Sequence, residues 1–152
     1  MDLAFGTNVR EHYYRIGRLA GLEADGRTHA VSSIVVSADG AASGGAEKRP
    51  LAAVPADHFD GDIELRSFPE RAATTTAPGG LMMLTHSTRL MREGHEIGHL
   101  AGVEIDPTTG EIVSIVGRHH WWTPRLHLKA AGLDFSVPGE IRVKGDRAVS
   151  RV

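Results

Sequence analysis

The sequence predicts an all-β fold made of two similar halves, and three observations carry that expectation. Residues 3–35 align with residues 84–116 at a constant offset of 81, without a gap, and 13 of the 33 pairs are identical. Random pairing would give about two. The apolar runs are short, rich in β-branched residues and bounded by turn-forming residues, the pattern of strands. Helical periodicity is weak along the whole chain.

The repeat is clearest over Ile16, Gly17, Leu19, Ala20, Gly21, Glu23 and Asp25, which fall on Ile97, Gly98, Leu100, Ala101, Gly102, Glu104 and Asp106. Ser33, Ile34 and Val35 fall on Ser114, Ile115 and Val116. The match resumes at Gly61 to Leu65 against Gly139 to Val143, now at an offset of 78. Such self-similarity marks a duplication. It divides the chain into a first repeat at 1–67, a linker at 68–83 containing Pro78-Gly79-Gly80, and a second repeat at 84–152. Each repeat is close to the lower size limit for folding alone, so the halves are expected to pack against each other.

In the second half, Gly98 to Ile105 and Glu111 to Val116 flank Asp106-Pro107-Thr108-Thr109-Gly110. Asp-Pro opens a turn and Gly supplies the positive φ that closes it, so the segment reads as a β-hairpin. The first half has Asp25-Gly26-Arg27-Thr28 at the same place. Asp25 and Asp106 therefore read as turn-initiating residues, and Glu23 and Glu104 as outward strand positions. Further short strands are expected at 49–54, 62–66, 125–129 and 140–144. Leu51 to Val54 and Leu128 to Ala131 have the composition of single helical turns. Tyr13 and Tyr14 read as half-buried strand residues.

Composition excludes several functional classes. The chain has no cysteine, which removes disulfides, thiolate metal sites and a cysteine nucleophile. Its 17 basic and 19 acidic residues give a net charge of −2, against the broad basic face that nucleic-acid binding needs. No apolar run has the length of a membrane span. Met1 to Arg10 lacks the order of a signal peptide, so a cytoplasmic location is expected.

The strand pattern of each half is an Ile-Gly-x-Leu-x-Gly-x-x-x-Asp segment, a turn, and a strand ending in Ile-Val. A short strand and a final Gly-Asp/Glu-Ile-x-Leu/Val strand follow. Here these are Ile16 to Asp25, Val31 to Val35, Pro50-Leu51 and Gly61 to Leu65, then Ile97 to Asp106, Ile112 to Val116, Leu126 to Leu128 and Gly139 to Val143. The pattern resembles the PRC-barrel family of small, mainly prokaryotic β-barrels. That resemblance implies two tandem small barrels packed together. It also implies a non-enzymatic role as a protein-binding adaptor or assembly module, without cofactor. Family members include a ribosome-maturation factor, so a ribosome- or RNA-associated role is one alternative.

The other alternative is a zinc-dependent hydrolase. His95-Glu96-Ile97-Gly98-His99 matches the H-E-x-x-H pattern, in which two histidines bind zinc and Glu is the general base. Position 105, where an extended form of that motif has a third histidine, is Ile105. The motif also needs a helix: histidines at i and i+4 are about 6 Å apart there, but about 13 Å apart on a strand. In the first half the same place reads Tyr14-Arg15-Ile16-Gly17-Arg18, which keeps Ile-Gly and none of the ligands. The expectation is therefore that neither catalytic nor metal-ligating residues are present, and that His119, His120 and His127 are solvated polar positions.

The segment Arg118-His119-His120-Trp121-Trp122-Thr123-Pro124-Arg125 holds both tryptophans. Tryptophan and arginine are enriched among residues that dominate binding interfaces. Arg118, Trp121, Trp122 and Arg125 are thus the expected partner-binding residues. The expected partner is another protein, and a homodimer would use the same exposed apolar loop.

Overall fold

The computed structural model describes residues 1–38, 46–55, 61–66, 81–120, 122–144 and 149–151. The first half forms β1 (Asp2–Ala4), β2 (Asn8–Glu11), β3 (Tyr14–Asp25), β4 (Val31–Ser37), β5 (Glu47–Pro50) and β6 (Ile63–Glu64). The second forms β7 (Leu81–Thr85), β8 (Arg89–Arg92), β9 (His95–Ile105), β10 (Ile112–Arg118), β11 (Leu126–Lys129), β12 (Leu133–Asp134), β13 (Glu140–Val143) and β14 (Val149–Arg151). Single 3-10 turns at Leu51–Ala53 and Ala130–Gly132 interrupt them at corresponding places. The fold is all-β, and its sheets are curled. Among the described residues, no helix is long and apolar enough to cross a membrane.

The strands form two sheets. One has the order β5-β4-β3-β2-β6 and the other β12-β13-β8-β9-β10-β11-β14. The strands at the amino-terminal end of each half leave their own sheet. β1 pairs antiparallel with β9, setting Leu3 opposite Val103, and β7 pairs antiparallel with β3, setting Leu84 opposite Leu22. These pairings are equivalent under the offset of 81. Each half therefore donates one strand to the sheet of the other. Leu81 to Met83, at the end of the segment expected to be a linker, are part of β7. The rest of that segment, 68–80, lies outside the described residues.

Glycine makes the exchange possible. A Cβ on Gly102 would stand 2.6 Å from the Leu3 carbonyl oxygen, and one on Gly21 would stand 2.8 Å from that of Leu84. Only a bare Cα admits the donated strand so closely. A second glycine pair answers a second close approach. A Cβ on Gly17 would meet the Ser37 carbonyl at 2.5 Å, and one on Gly98 the Arg118 carbonyl at 3.0 Å. The glycine of the Ile-Gly dipeptide shared by the halves thus meets a packing requirement where β3 and β9 approach the ends of β4 and β10.

Leu3 and Leu84, each 1% exposed, join Leu19, Leu22, Leu100 and Val103 in one continuous apolar core. At the turns, the Asp25 carboxylate accepts from Arg27 N (2.7 Å) and Thr28 N (3.3 Å), and that of Asp106 accepts from Thr108 N (2.8 Å). Both aspartates act as the turn initiators expected of them. Glu23 departs from expectation. It is 5% exposed, ion-paired with Lys48 and hydrogen-bonded by Ser33, because β5 reaches over it. Glu104 is exposed as expected, and accepts from Ser114 at 2.9 Å.

Ala30 forms an antiparallel bridge with Glu111, its own counterpart in the repeat. Val31 N donates to Gly110 O and Ile112 N to His29 O, both at 2.9 Å. A position paired antiparallel with its own equivalent marks a local two-fold axis. β4 and β10 leave this axis in opposite directions. The starts of β3 and β9, at Tyr14 and His95, accordingly lie at opposite ends of the molecule.

Candidate partner-binding site

At the end built by the second half, β10 finishes with Arg118 paired to His99, and β11 begins with Leu126 paired to Gly117. The connection between them is tied into a tight turn. Thr123 N donates to His120 O at 3.0 Å, and the Thr123 hydroxyl donates to the same oxygen at 2.7 Å. That hydroxyl also accepts from His120 N at 2.9 Å. Pro124 follows, where a fixed φ stiffens the exit from the turn.

This clasp holds Trp122 outward. Its indole is 65% exposed and lies flat on the His120 imidazole, with ring centroids 4.5 Å apart and planes 7° from parallel. His120 in turn meets His119 edge-on at 4.2 Å. Beside the stack is an open pocket of about 400 Å³ lined by Arg92, Glu96, Ile97, His119, Thr123, Pro124 and Leu126. Its floor is aliphatic, and its rim carries both charges. Such a concavity next to a rigid aromatic suits an apolar side chain flanked by polar groups.

Of the four expected binding residues, Trp122 and Arg125 are exposed at this end. Arg118 is half-buried, and its Nε is enclosed without a hydrogen bond. Trp121 lies outside the described residues. The pocket residues on β8 and β9 were not expected. Arg92, Glu96 and Ile97 are more than twenty positions from the turn in sequence and meet it only through the β9–β10 register.

The His95–His99 segment lies within β9, so the helix that the zinc motif needs is not formed there. Its Glu96 instead lines the pocket, with Oε1 3.4 Å from His99 Nε2. Ile105 is a core residue, 1% exposed. Among the described residues, no group of three or more His, Asp or Glu side chains is placed to hold a metal ion.

Tyr13 and Tyr14 depart most from expectation. They are 88% and 77% exposed at the tip of the β2–β3 hairpin. The repeat holds the signal that would have placed them. Tyr13 aligns with Gly94, and a glycine there marks a two-residue hairpin turn. Compared with known proteins, the chain matches no protein-family model and no curated protein sequence.

Proposed function

We propose that this protein is a non-catalytic adaptor or assembly module in the cytoplasm, made of two tandem PRC-barrel-like repeats, that grips another protein with the turn at 118–125. Support for the repeats comes from the strand orders. β6, β2, β3, β4 and β5 correspond in sequence to β13, β8, β9, β10 and β11, including the parallel β2–β6 and β8–β13 pairs. The observation that carries the binding role is Trp122, a large apolar side chain held 65% exposed by a hydrogen-bonded turn beside an open pocket. A large aromatic that stays mostly exposed while stacked on His120 offers its free face to a partner. Its low rotamer freedom makes it an efficient anchor.

The test is affinity for a partner identified by cross-linking in cells and then purified. Trp122→Ala should weaken that complex by about 2 kcal/mol, roughly thirtyfold. Arg125→Ala should weaken it less, because a charge at the rim is solvated. Unchanged affinity for Trp122→Ala, with an unaltered circular dichroism spectrum, would remove the turn from the interface.

A further inference from the structure

The end built by the first half carries its own aromatic tip, and the duplication supplies an internal control for it. In the β2–β3 hairpin, Glu11 pairs with Tyr14 across His12 and Tyr13, whose φ angles are +52° and +69°. In the β8–β9 hairpin, Arg92 pairs with His95 across Glu93 and Gly94, at +50° and +79°. Both are two-residue turns with positive φ at the two central residues, where glycine or asparagine is preferred. The second half follows that preference at Gly94, whereas the first places a tyrosine there. The fold therefore does not require Tyr13, and its backbone is strained by it. The strained residue is also the most exposed large apolar side chain among the described residues.

Arginines gather round the tip, and Glu11 beside it is ion-paired with Arg49 at 3.4 Å. Arg10 and Arg15 stand directly opposite each other, and Arg18 follows on the same strand as Arg15. Arg10 is neutralised by Glu64 at 3.1 Å, and its other guanidinium nitrogen braces the turn by donating to Tyr13 O at 2.8 Å. Arg15 donates to Asn8 Oδ1 at 3.0 Å, and among the described residues neither Arg15 nor Arg18 is ion-paired to a carboxylate. At the corresponding places the second half has Glu96 and His99. Tyr13, Arg15 and Arg18 thus stand at this end where the equivalent turn of the other half carries glycine, glutamate and histidine.

We propose that the β2–β3 tip is a second docking surface, which takes an acidic segment of a partner protein. Tyr13 and Tyr14 anchor its apolar side chains, and Arg15 and Arg18 bind its carboxylates. Among the described residues neither guanidinium has a carboxylate partner, and bidentate pairing suits carboxylates. A nucleic acid fits less well. A continuous phosphate backbone calls for a broad basic face, and a chain of net charge −2 with two arginines at this tip offers only a local one. Placed opposite the Trp122 turn, this surface makes the molecule a two-ended connector.

The experiment follows amide resonances of the full chain during titration with a twelve-residue peptide of glutamate and phenylalanine, and with its glutamine-for-glutamate counterpart. Shifts are expected at Glu11 to Arg18 with the acidic peptide, and affinity at least tenfold lower for the glutamine form. Arg15→Glu combined with Arg18→Glu should lose at least tenfold. Tyr13→Gly is the decisive variant. It should raise the thermal midpoint by about 2–4 °C through relief of the backbone strain, while weakening the peptide at least fivefold. A tyrosine that merely supports the fold would give lower stability instead. Trp122→Ala should leave this binding unchanged, and its loss there would assign the peptide to the other end. The proposal fails if the hairpin resonances do not move. It also fails if oligouridine or phosphatidylserine vesicles bind the hairpin more tightly than the acidic peptide.

Discussion

Replacing Leu84 by alanine is expected to destabilise the protein by about 3 kcal/mol, within the 2–5 kcal/mol range of large-to-small core substitutions. Leu84 is 1% exposed and sits opposite Leu22, on the strand that the second half lends to the first. Leu22 opposite it is fully buried and held between β4 and β7, which limits its movement into the vacated volume. The loss should reach both sheets, since β7 runs through one turn into β8 and so into the other sheet. Urea denaturation followed by tryptophan fluorescence reports on the second half, and amide exchange at β3 and β4 reports on the first. A single transition at a lower midpoint is expected from both probes. Two separated transitions would mean that the halves unfold independently, against the strand exchange.

Gly102→Ala is expected to cost about 1–3 kcal/mol, the range for forcing an extra carbon into a filled space. The new Cβ would lie 2.6 Å from Leu3 O and 3.1 Å from Ala4 Cα. Both are backbone atoms, which cannot rotate aside as a side chain can, so β1 itself must move. Three hydrogen bonds depend on its position: Met1 ammonium to Ile105 O (3.1 Å), Ile105 N to Met1 O (2.8 Å) and Phe5 N to Ala101 O (2.9 Å). Faster amide exchange at Phe5 and Ile105 should accompany the loss. Gly26→Ala is the control. The nearest atom to its added Cβ is 3.9 Å away, so its effect should stay within about 0.5 kcal/mol. Equal effects from the two substitutions would contradict the close approach at Gly102.

Much of the architecture is written locally and was readable. The Asp25 and Asp106 turns, the β9–β10 hairpin and the single turn at Leu51–Ala53 follow from residues within a few positions of one another, whereas the second turn forms at Ala130–Gly132, later than expected, because Leu128 and Lys129 stay in β11. The strand exchange was not readable, for a physical reason. β1 and β7 each present a buried leucine, Leu3 and Leu84, and the residues these meet, Val103 and Leu22, are both aliphatic. Nothing in either short strand distinguishes its own half from the other. The pocket was hidden differently. Arg92 and Glu96 are unremarkable strand residues until a register shift between Val116 and Gly117 sets the end of β10 beside them. Tyr13 was misjudged because a tyrosine beside a β-strand reads as a packing residue, whereas the turn it occupies turns it to solvent.

The crossing of β1 and β7 also bears on how a duplicated gene can diverge. A residue at the crossing serves two sheets at once, so a change there must suit both copies together. Residues at the far tips answer to one copy alone. Several surviving identities lie where the halves interlock: Leu3 with Leu84, Gly21 with Gly102 and Glu23 with Glu104. Novelty has accumulated outward, as tyrosine and arginine at one extremity and histidine and tryptophan at the other. By fusing two copies at the waist, the duplication left each extremity free to specialise separately.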